Sequence, residues 1–277
     1  MTDAECMTLL QWAAPRLGLR WAGYRNVRGQ VCKRIRRRMA QLGLGEAASY
    51  RARLEAQPEE WAVLERLCVV TISRFYRDRE VWDALREAVL PSAADAAIAA
   101  GDEELRVWSL GCASGEEPYT LSIAWTLDLA HRYPGLRLRV FATDVHEHVL
   151  HRARVAAYAA GTLRELPAGW ADQAFEPHGE RFHLRPHLRA AVEPRRMGVR
   201  KALPDETFRV ILCRNLAFTY FAEPLQQETL ERICTRLSDG GALVLGRHEQ
   251  LPPTTLLEPW IPALGIHRHV RHRPGRR

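Results

Sequence analysis

The sequence contains no run of about 18 apolar residues, the minimum for a helix that crosses a bilayer. Its opening, Met1-Thr-Asp-Ala-Glu-Cys6, has neither the basic lead nor the apolar core of a secretory signal. No Cys-x-x-Cys pair occurs among Cys6, Cys32, Cys68, Cys112, Cys213 and Cys234, so their spacing predicts reduced thiols and excludes a structural zinc site. These absences together predict a cytoplasmic protein with no membrane insertion and no metal. Lysine is nearly missing as well: of 40 basic residues only Lys33 and Lys201 are lysine. The basic charge is therefore arginine, permanently ionised, and the net charge of +7 favours acidic partners. No internal repeat is found.

At 277 residues, 47% of them hydrophobic, the chain is long enough for one larger and one smaller core. Residues 1–88 read as all helix. Leu9, Leu10, Ala13, Ala14 and Leu17 recur at helical spacing up to Gly18, and Val27, Val31, Ile35, Met39 and Leu42 recur up to Gly43. Trp61, Leu64, Leu67 and Cys68 start another amphipathic stretch, and Glu80–Leu90 a further helix. Lys33, Arg34, Arg36, Arg37 and Arg38 crowd the second stripe, without the interleaved aromatics that nucleic acid would require. A second basic cluster, Arg268–Arg277, reads as a solvated tail.

From residue 105 strands alternate with helices, which predicts a doubly wound parallel sheet over 89–277, with an unpatterned insertion at 160–195. The most informative piece is a strand, Arg106–Leu110, a small-residue turn, Gly111-Cys-Ala-Ser-Gly115, and a helix opened by Glu116, Glu117 and Pro118. Bare backbone in such a turn lets a ligand approach closely. Two carboxylates at the helix start suit the helix dipole but would repel phosphate. A neutral or cationic nucleoside fits, and S-adenosylmethionine is the obvious candidate. Two further strands end on Asp144, placed to accept ribose hydroxyls, and on Arg214-Asn215. His146, His148 and His151 read as a solvated helix start, and Gly246-Arg-His-Glu249 as either a turn or a pocket edge.

These segments, in this order, resemble the CheR family of chemotaxis receptor glutamate methyltransferases along nearly the whole chain. Thr71-Ile-Ser-Arg-Phe-Tyr-Arg77 is similar to the family's T-x-F-F-R element, and Trp108–Tyr119 to G-C-S-T-G-E-E-P-Y. Phe141–Asp144, Ile211–Asn215 with Tyr220-Phe221, and Gly246–Glu249 correspond to three more. The resemblance implies a Rossmann-like methyltransferase sheet preceded by a small helical domain, and methyl transfer from S-adenosylmethionine to a glutamate carboxylate. It implies cofactor contacts from Thr71, Ser73, Arg77, Gly111, Glu116, Glu117, Asp144, Asn215 and Leu216, with Arg77 and Tyr220 beside the reacting groups. Arg34, Arg37 and Arg38 would face an acidic receptor helix. The chain departs from the pattern at the cofactor-binding position Met197-Gly198, where the family shows Asn-Leu and one contact is lost or supplied by backbone, at Phe208-Arg209 in place of Phe-Asp, and by one extra residue between Asn215 and Tyr220. The departures leave open a same-fold enzyme acting on a small carboxylic acid, or a non-catalytic cofactor-binding module.

Overall fold

The computed structural model describes residues 1–25, 27–70 and 73–270. It divides into two compact units, Met1–Thr71 with Thr219–Gln226, and Ile72–Phe218 with Gln227–Arg277.

The first unit is helical. Helix α1 (Asp3–Ala13) starts at a capping box in which Thr2 and Glu5 satisfy each other's backbone N–H groups. It is followed by α2 (Arg28–Gln41), α3 (Ala47–Ala56) and α4 (Pro58–Leu67). Leu9, Leu10, Ala13, Val31, Ile35, Met39, Tyr50, Leu54 and Leu64 are all buried, the stripes the periodicity predicts together with α3, which it does not reveal. Gly18 ends the first stripe at φ +68, a conformation glycine adopts without strain. The returning segment 219–226 is seated on this unit: Arg20 N–H donates to the Tyr220 carbonyl at 2.8 Å, and Ala222 N–H to the Gly18 carbonyl at 2.8 Å. Gly23 permits that seat, because a Cβ there would lie 2.3 Å from the Thr219 carbonyl oxygen.

Cys6 and Cys32 are joined as a disulfide, which corrects the expectation of six reduced thiols. Packing of α1 on α2 brings their Cα atoms to 5.9 Å, a proximity that spacing along the chain does not encode. Cys68, Cys112, Cys213 and Cys234 are free and buried. The bridge spans 26 residues, and the chain-entropy model assigns such a loop roughly 3 kcal/mol. Reductant, or Cys6→Ser, is expected to lower the urea unfolding midpoint of the helical unit accordingly; an unchanged midpoint would show that the bridge contributes nothing.

The second unit is a seven-stranded sheet in the order β6-β2-β1-β7-β8-β10-β9. Its strands are β1 (Glu104–Leu110), β2 (Arg137–Asp144), β6 (Val192–Arg196), β7 (Phe208–Cys213), β8 (Leu237–Leu245), β9 (Leu257–Ile261) and β10 (Ile266–His269). β6, β2, β1, β7 and β8 are parallel, and β10 with β9 closes the sheet antiparallel. The apolar runs Val140–Ala142 and Val210–Cys213 are wholly buried, as strands covered on both faces must be. This is the α/β sheet that the alternation predicts, with an antiparallel edge added, and the Rossmann-like sheet that the resemblance implies.

Helix α5 (Arg79–Ala84) runs through a π turn, Leu85–Val89, into α6 (Leu90–Ala99). The widened turn precedes Pro91, which has no N–H to donate to a regular helix. Val81, Trp82, Leu85, Val89 and Leu90 lie in the sheet's hydrophobic core. Residues 72–88, grouped with the helical part in the sequence, are thus contiguous with α6 and belong to the second unit. Asp239-Gly-Gly241 lies inside β8, where the register against β7 shifts. Arg268 is likewise part of β10, stacked 3.8 Å from the Trp260 ring centroid, rather than of a tail; residues 271–277 lie outside the described residues. Arg209, where the family has Asp, donates to Asp102 at 2.9 Å.

Helices α7 (Glu116–Ala124) and α8 (Glu147–Val155) follow β1 and β2. The insertion is a three-stranded antiparallel sheet of β3 (Ala157–Ala159), β5 (Arg181–Leu184) and β4 (Phe175–His178) in that spatial order, flanked by α9 (Trp170–Ala174) and α10 (Pro186–Arg189). The tight β4–β5 turn is made at Gly179, φ +58. β4, β6 and β9 each contain a proline: Pro177, Pro194 and Pro259. The chain returns to the first unit through α11 (Ala217–Tyr220) and leaves it along α12 (Glu223–Cys234).

Candidate cofactor site

The site of the second unit is built where β1, β2 and β7 end. The turn after β1 needs three left-handed residues, Gly111 at φ +76, Ala113 at +48 and Gly115 at +93. Its backbone is tied to β2: the N–H groups of Gly111 and Cys112 both donate to the Thr143 carbonyl, at 2.8 and 3.0 Å. The Ala113 N–H donates to Asp144 Oδ2 at 3.1 Å, and the His146 N–H to Oδ1 at 2.9 Å. The carboxylate is thereby held at the strand end, and each oxygen keeps a second lone-pair direction for a ligand hydroxyl.

Gly111 has no room for a side chain, since a Cβ would lie 2.7 Å from Leu216 Cδ2. Leu216 follows Asn215, itself left-handed at φ +54. Met197 N–H donates to the Asp144 carbonyl at 3.0 Å, which fixes Met197-Gly198 beside Asp144. A Cβ on Gly198 would meet Val145 at 2.5 Å. Two buried polar atoms of the turn and the helix behind it, Ser114 Oγ and Glu116 Oε2, have no hydrogen-bond partner among the described residues. Burial pushes the Glu116 carboxyl above its usual range, against the pull of Arg152.

Glu117 is not free to act as a ligand group alone. It accepts from Ser109 Oγ at 2.8 Å and from Arg214 Nη1 at 3.3 Å. Burial raises its carboxyl, and Arg214 and Ser109 draw it back. The Arg214 side chain, 3% exposed, also pairs with Asp78 at 2.8 Å and donates to the Arg77 carbonyl at 2.9 Å. Arg77 stands between two left-handed residues, Tyr76 at φ +57 and Asp78 at +63; such strain concentrates at functional segments. Arg214, given no role in the sequence reading, is thus central to the packing of the site.

The structure brings Gly111, Glu117, Asp144, Met197, Gly198, Asn215 and Leu216 to one end of the sheet. Ser73 and Arg77 lie on the segment opening the same unit, and Thr71 lies outside the described residues. Tyr220 belongs to the first unit, its ring 5.1 Å from that of Tyr24. Of the α2 arginines, Arg34 donates to the Leu67 and Val69 carbonyls. Arg38 binds Glu60 through two bonds, of 2.9 and 2.7 Å. Arg37 alone of the three is exposed, as is Lys33. The cluster that spacing suggests is therefore largely directed inward.

Residues 71–262 match the family model described as CheR methyltransferase, SAM binding domain. The chain belongs to the CheR methyltransferase family. It is 31% identical over 258 residues to the chemotaxis protein methyltransferase of Escherichia coli, covering 90% of this chain and 85% of that one. It is 30% identical over 185 residues to that of Listeria monocytogenes, covering 67% of each. An uncharacterized 104.1 kDa protein of Rhodobacter capsulatus is 32% identical over 226 residues, which are 80% of this chain but only 23% of the longer protein.

As a CheR-type methyltransferase the protein uses S-adenosylmethionine, and the site suits that cofactor. The turn is bare backbone and Asp144 is presented for hydroxyls. The acidic helix start suits a sulfonium rather than a phosphate. No described helix is long and apolar enough to cross a membrane, and no three His, Cys, Asp or Glu side chains gather as a metal site among the described residues.

Proposed function

We propose that the protein forms methyl esters on glutamate side chains of a chemoreceptor-like protein in the cytoplasm. The bound cofactor would supply an electrophilic methyl group on its sulfonium. Asp144 would accept the ribose hydroxyls, and Ser114, Met197 and Gly198 would line the nucleoside around it. Asn215 and Leu216 would hold the methionine end, and Ser73 would complete the site with Arg77.

The observation that carries the reading is the cofactor site itself: Asp144 is held at the end of β2 beside the left-handed turn after β1, in a chain whose residues 71–262 match the CheR SAM-binding model. A glutamate side chain, with an ordinary pKa near 4.3, is ionised at neutral pH and needs no base. A donor such as Arg77 that held one of its oxygens would leave the other to attack, with rate supplied by proximity to the bound methyl donor. The names of the Escherichia coli and Listeria relatives support the same acceptor class. Incubation with radiolabelled S-adenosylmethionine and receptor fragments, followed by alkali, is expected to release volatile methanol. Cofactor binding with no transfer to any fragment would instead support a non-catalytic module, and base-stable label a different nucleophile.

An acidic receptor helix would dock on the outward charges of α2, Lys33 and Arg37. Arg37→Glu is expected to weaken that docking several-fold at low salt while leaving thermal stability unchanged. Arg38→Gln is expected to do the opposite. Glu60, 2% exposed and also bound by the Tyr50 hydroxyl at 2.9 Å, would lose its guanidinium, at about 3 kcal/mol. Arg38 holds the Glu60 carboxyl below its usual range. That stabilisation is present above the ordinary carboxylate pKa and lost as pH falls through the lowered one. The acid-side loss should therefore shrink in Arg38→Gln, as chemical denaturation at several pH values will show.

A further inference from the structure

After β8 the chain makes a tight turn, Gly246-Arg-His-Glu249, closed by the Glu249 N–H donating to the Gly246 carbonyl at 2.9 Å. Arg247 and His248 are exposed, whereas Glu249 folds back and is 9% exposed. Its carboxylate accepts three backbone N–H groups. Oε2 takes those of Gly246 and Asn215, each at 2.7 Å, and Oε1 takes that of Leu216 at 3.2 Å. Gly246 is part of the turn itself, but Asn215 and Leu216 lie more than 30 residues earlier, at the end of β7.

Successive backbone N–H groups beside a left-handed residue form a concavity for an anion. Here Asn215, at φ +54, and Leu216 form one, and a side chain of the same protein fills it. The fit leaves no slack. A Cβ on Gly246 would lie 2.9 Å from Glu249 Oε2 and 3.0 Å from Asn215 Oδ1, so the Asn215 side chain rests against the turn. Leu216 in turn leaves no space for a side chain on Gly111. The orientation of the β7 end, and its contact with the turn after β1, thus depend on one carboxylate.

We infer that Glu249 is a positioning residue for S-adenosylmethionine, holding Asn215 and Leu216 in the conformation that receives the methionine end. The inference rests on the reading of Asn215 and Leu216 as cofactor residues. Glu249 acts through them. Glutamine is a poor substitute, because its amide has one acceptor oxygen for three donors and would turn an N–H₂ toward a backbone N–H.

The test is calorimetric binding of S-adenosylhomocysteine to the full chain and to Glu249→Gln, Asn215→Gly and the double variant, with unfolding of each apo protein measured as a check on folding. Glycine keeps the left-handed backbone open while deleting the Asn215 amide. Each single variant is expected to bind at least tenfold more weakly, and the double variant no more weakly than the weaker single, because both remove one interaction. Gly246→Ala, which presses a methyl on Asn215, should act in the same direction and carries the test if Glu249→Gln does not fold. Wild-type affinity in Glu249→Gln alongside weak binding by Asn215→Gly would overturn the clamp alone, as would multiplying effects in the double variant. Wild-type affinity in Asn215→Gly would overturn the assignment of Asn215 and the inference with it.

Discussion

Replacing Asp144 with alanine is expected to remove measurable binding of S-adenosylhomocysteine. The carboxylate performs two tasks. It holds the backbone N–H groups of Ala113 and His146, and in the proposed site it accepts the ribose hydroxyls. Alanine leaves two donors without their acceptor, at about 1–3 kcal/mol, and deletes two hydrogen bonds to the ligand. The orphaned donors lower stability, whereas losing two ligand bonds to an ionised acceptor, at about 1.5–2 kcal/mol each, corresponds to a roughly 10²–10³-fold weaker complex. The Asp144→Asn variant keeps one acceptor oxygen and should fall between wild type and Asp144→Ala. Titration calorimetry decides the matter: affinity within about threefold of wild type in Asp144→Ala would mean that the nucleoside binds elsewhere.

The second large effect is expected on stability. Arg214→Met preserves volume but leaves Glu117 buried without its cation and Asp78 without a partner. Breaking a buried pair on one side costs about 3 kcal/mol or more, which for a unit of this size is roughly a 6–12 °C lower unfolding midpoint. The loss should depend on pH. Burial already holds the Glu117 carboxyl above its ordinary value near 4.5, and removing Arg214 raises it further. A carboxyl raised in the folded state favours folding below its ordinary pKa and loses that contribution as pH rises through the folded value. The variant should therefore be weakest at neutral pH and recover in mild acid. Adding Glu117→Gln should restore part of the midpoint at pH 7; no rescue would show that Arg214 stabilises by other contacts, such as the Trp82 ring it overlies.

The β-α-β alternation and the site's three strand ends could be read from sequence because β1, β2 and β7 are short apolar runs followed by Gly111, Asp144 and Asn215. What stayed hidden depends on contacts distant in sequence. The strands of the insertion are three or four residues long and partly exposed, so neither alternation nor a hydrophobic run marks them. Arg34 and Arg38 have the spacing of an exposed basic face, yet their partners lie on α4 and just beyond it. Cys6 and Cys32 look unpaired until α1 packs on α2. Gly246–Glu249 could be seen as a motif, but not the return of its last residue to β7. Nothing local marks Arg214 beside Asn215, because its carboxylates come from positions 78 and 117.

The prolines of the sheet edges have a consequence for how the protein behaves at high concentration. Both outer strands of the large sheet, β6 and β9, and one outer strand of the small one, β4, carry a Glu-Pro pair: Glu193-Pro194, Glu258-Pro259 and Glu176-Pro177. The remaining edge, β3, is only three residues long. Proline offers no N–H to a further strand, and a neighbouring carboxylate repels a second copy of itself. Each open edge of either sheet is thus a poor template for strand addition, which protects the folded chain against edge-to-edge aggregation.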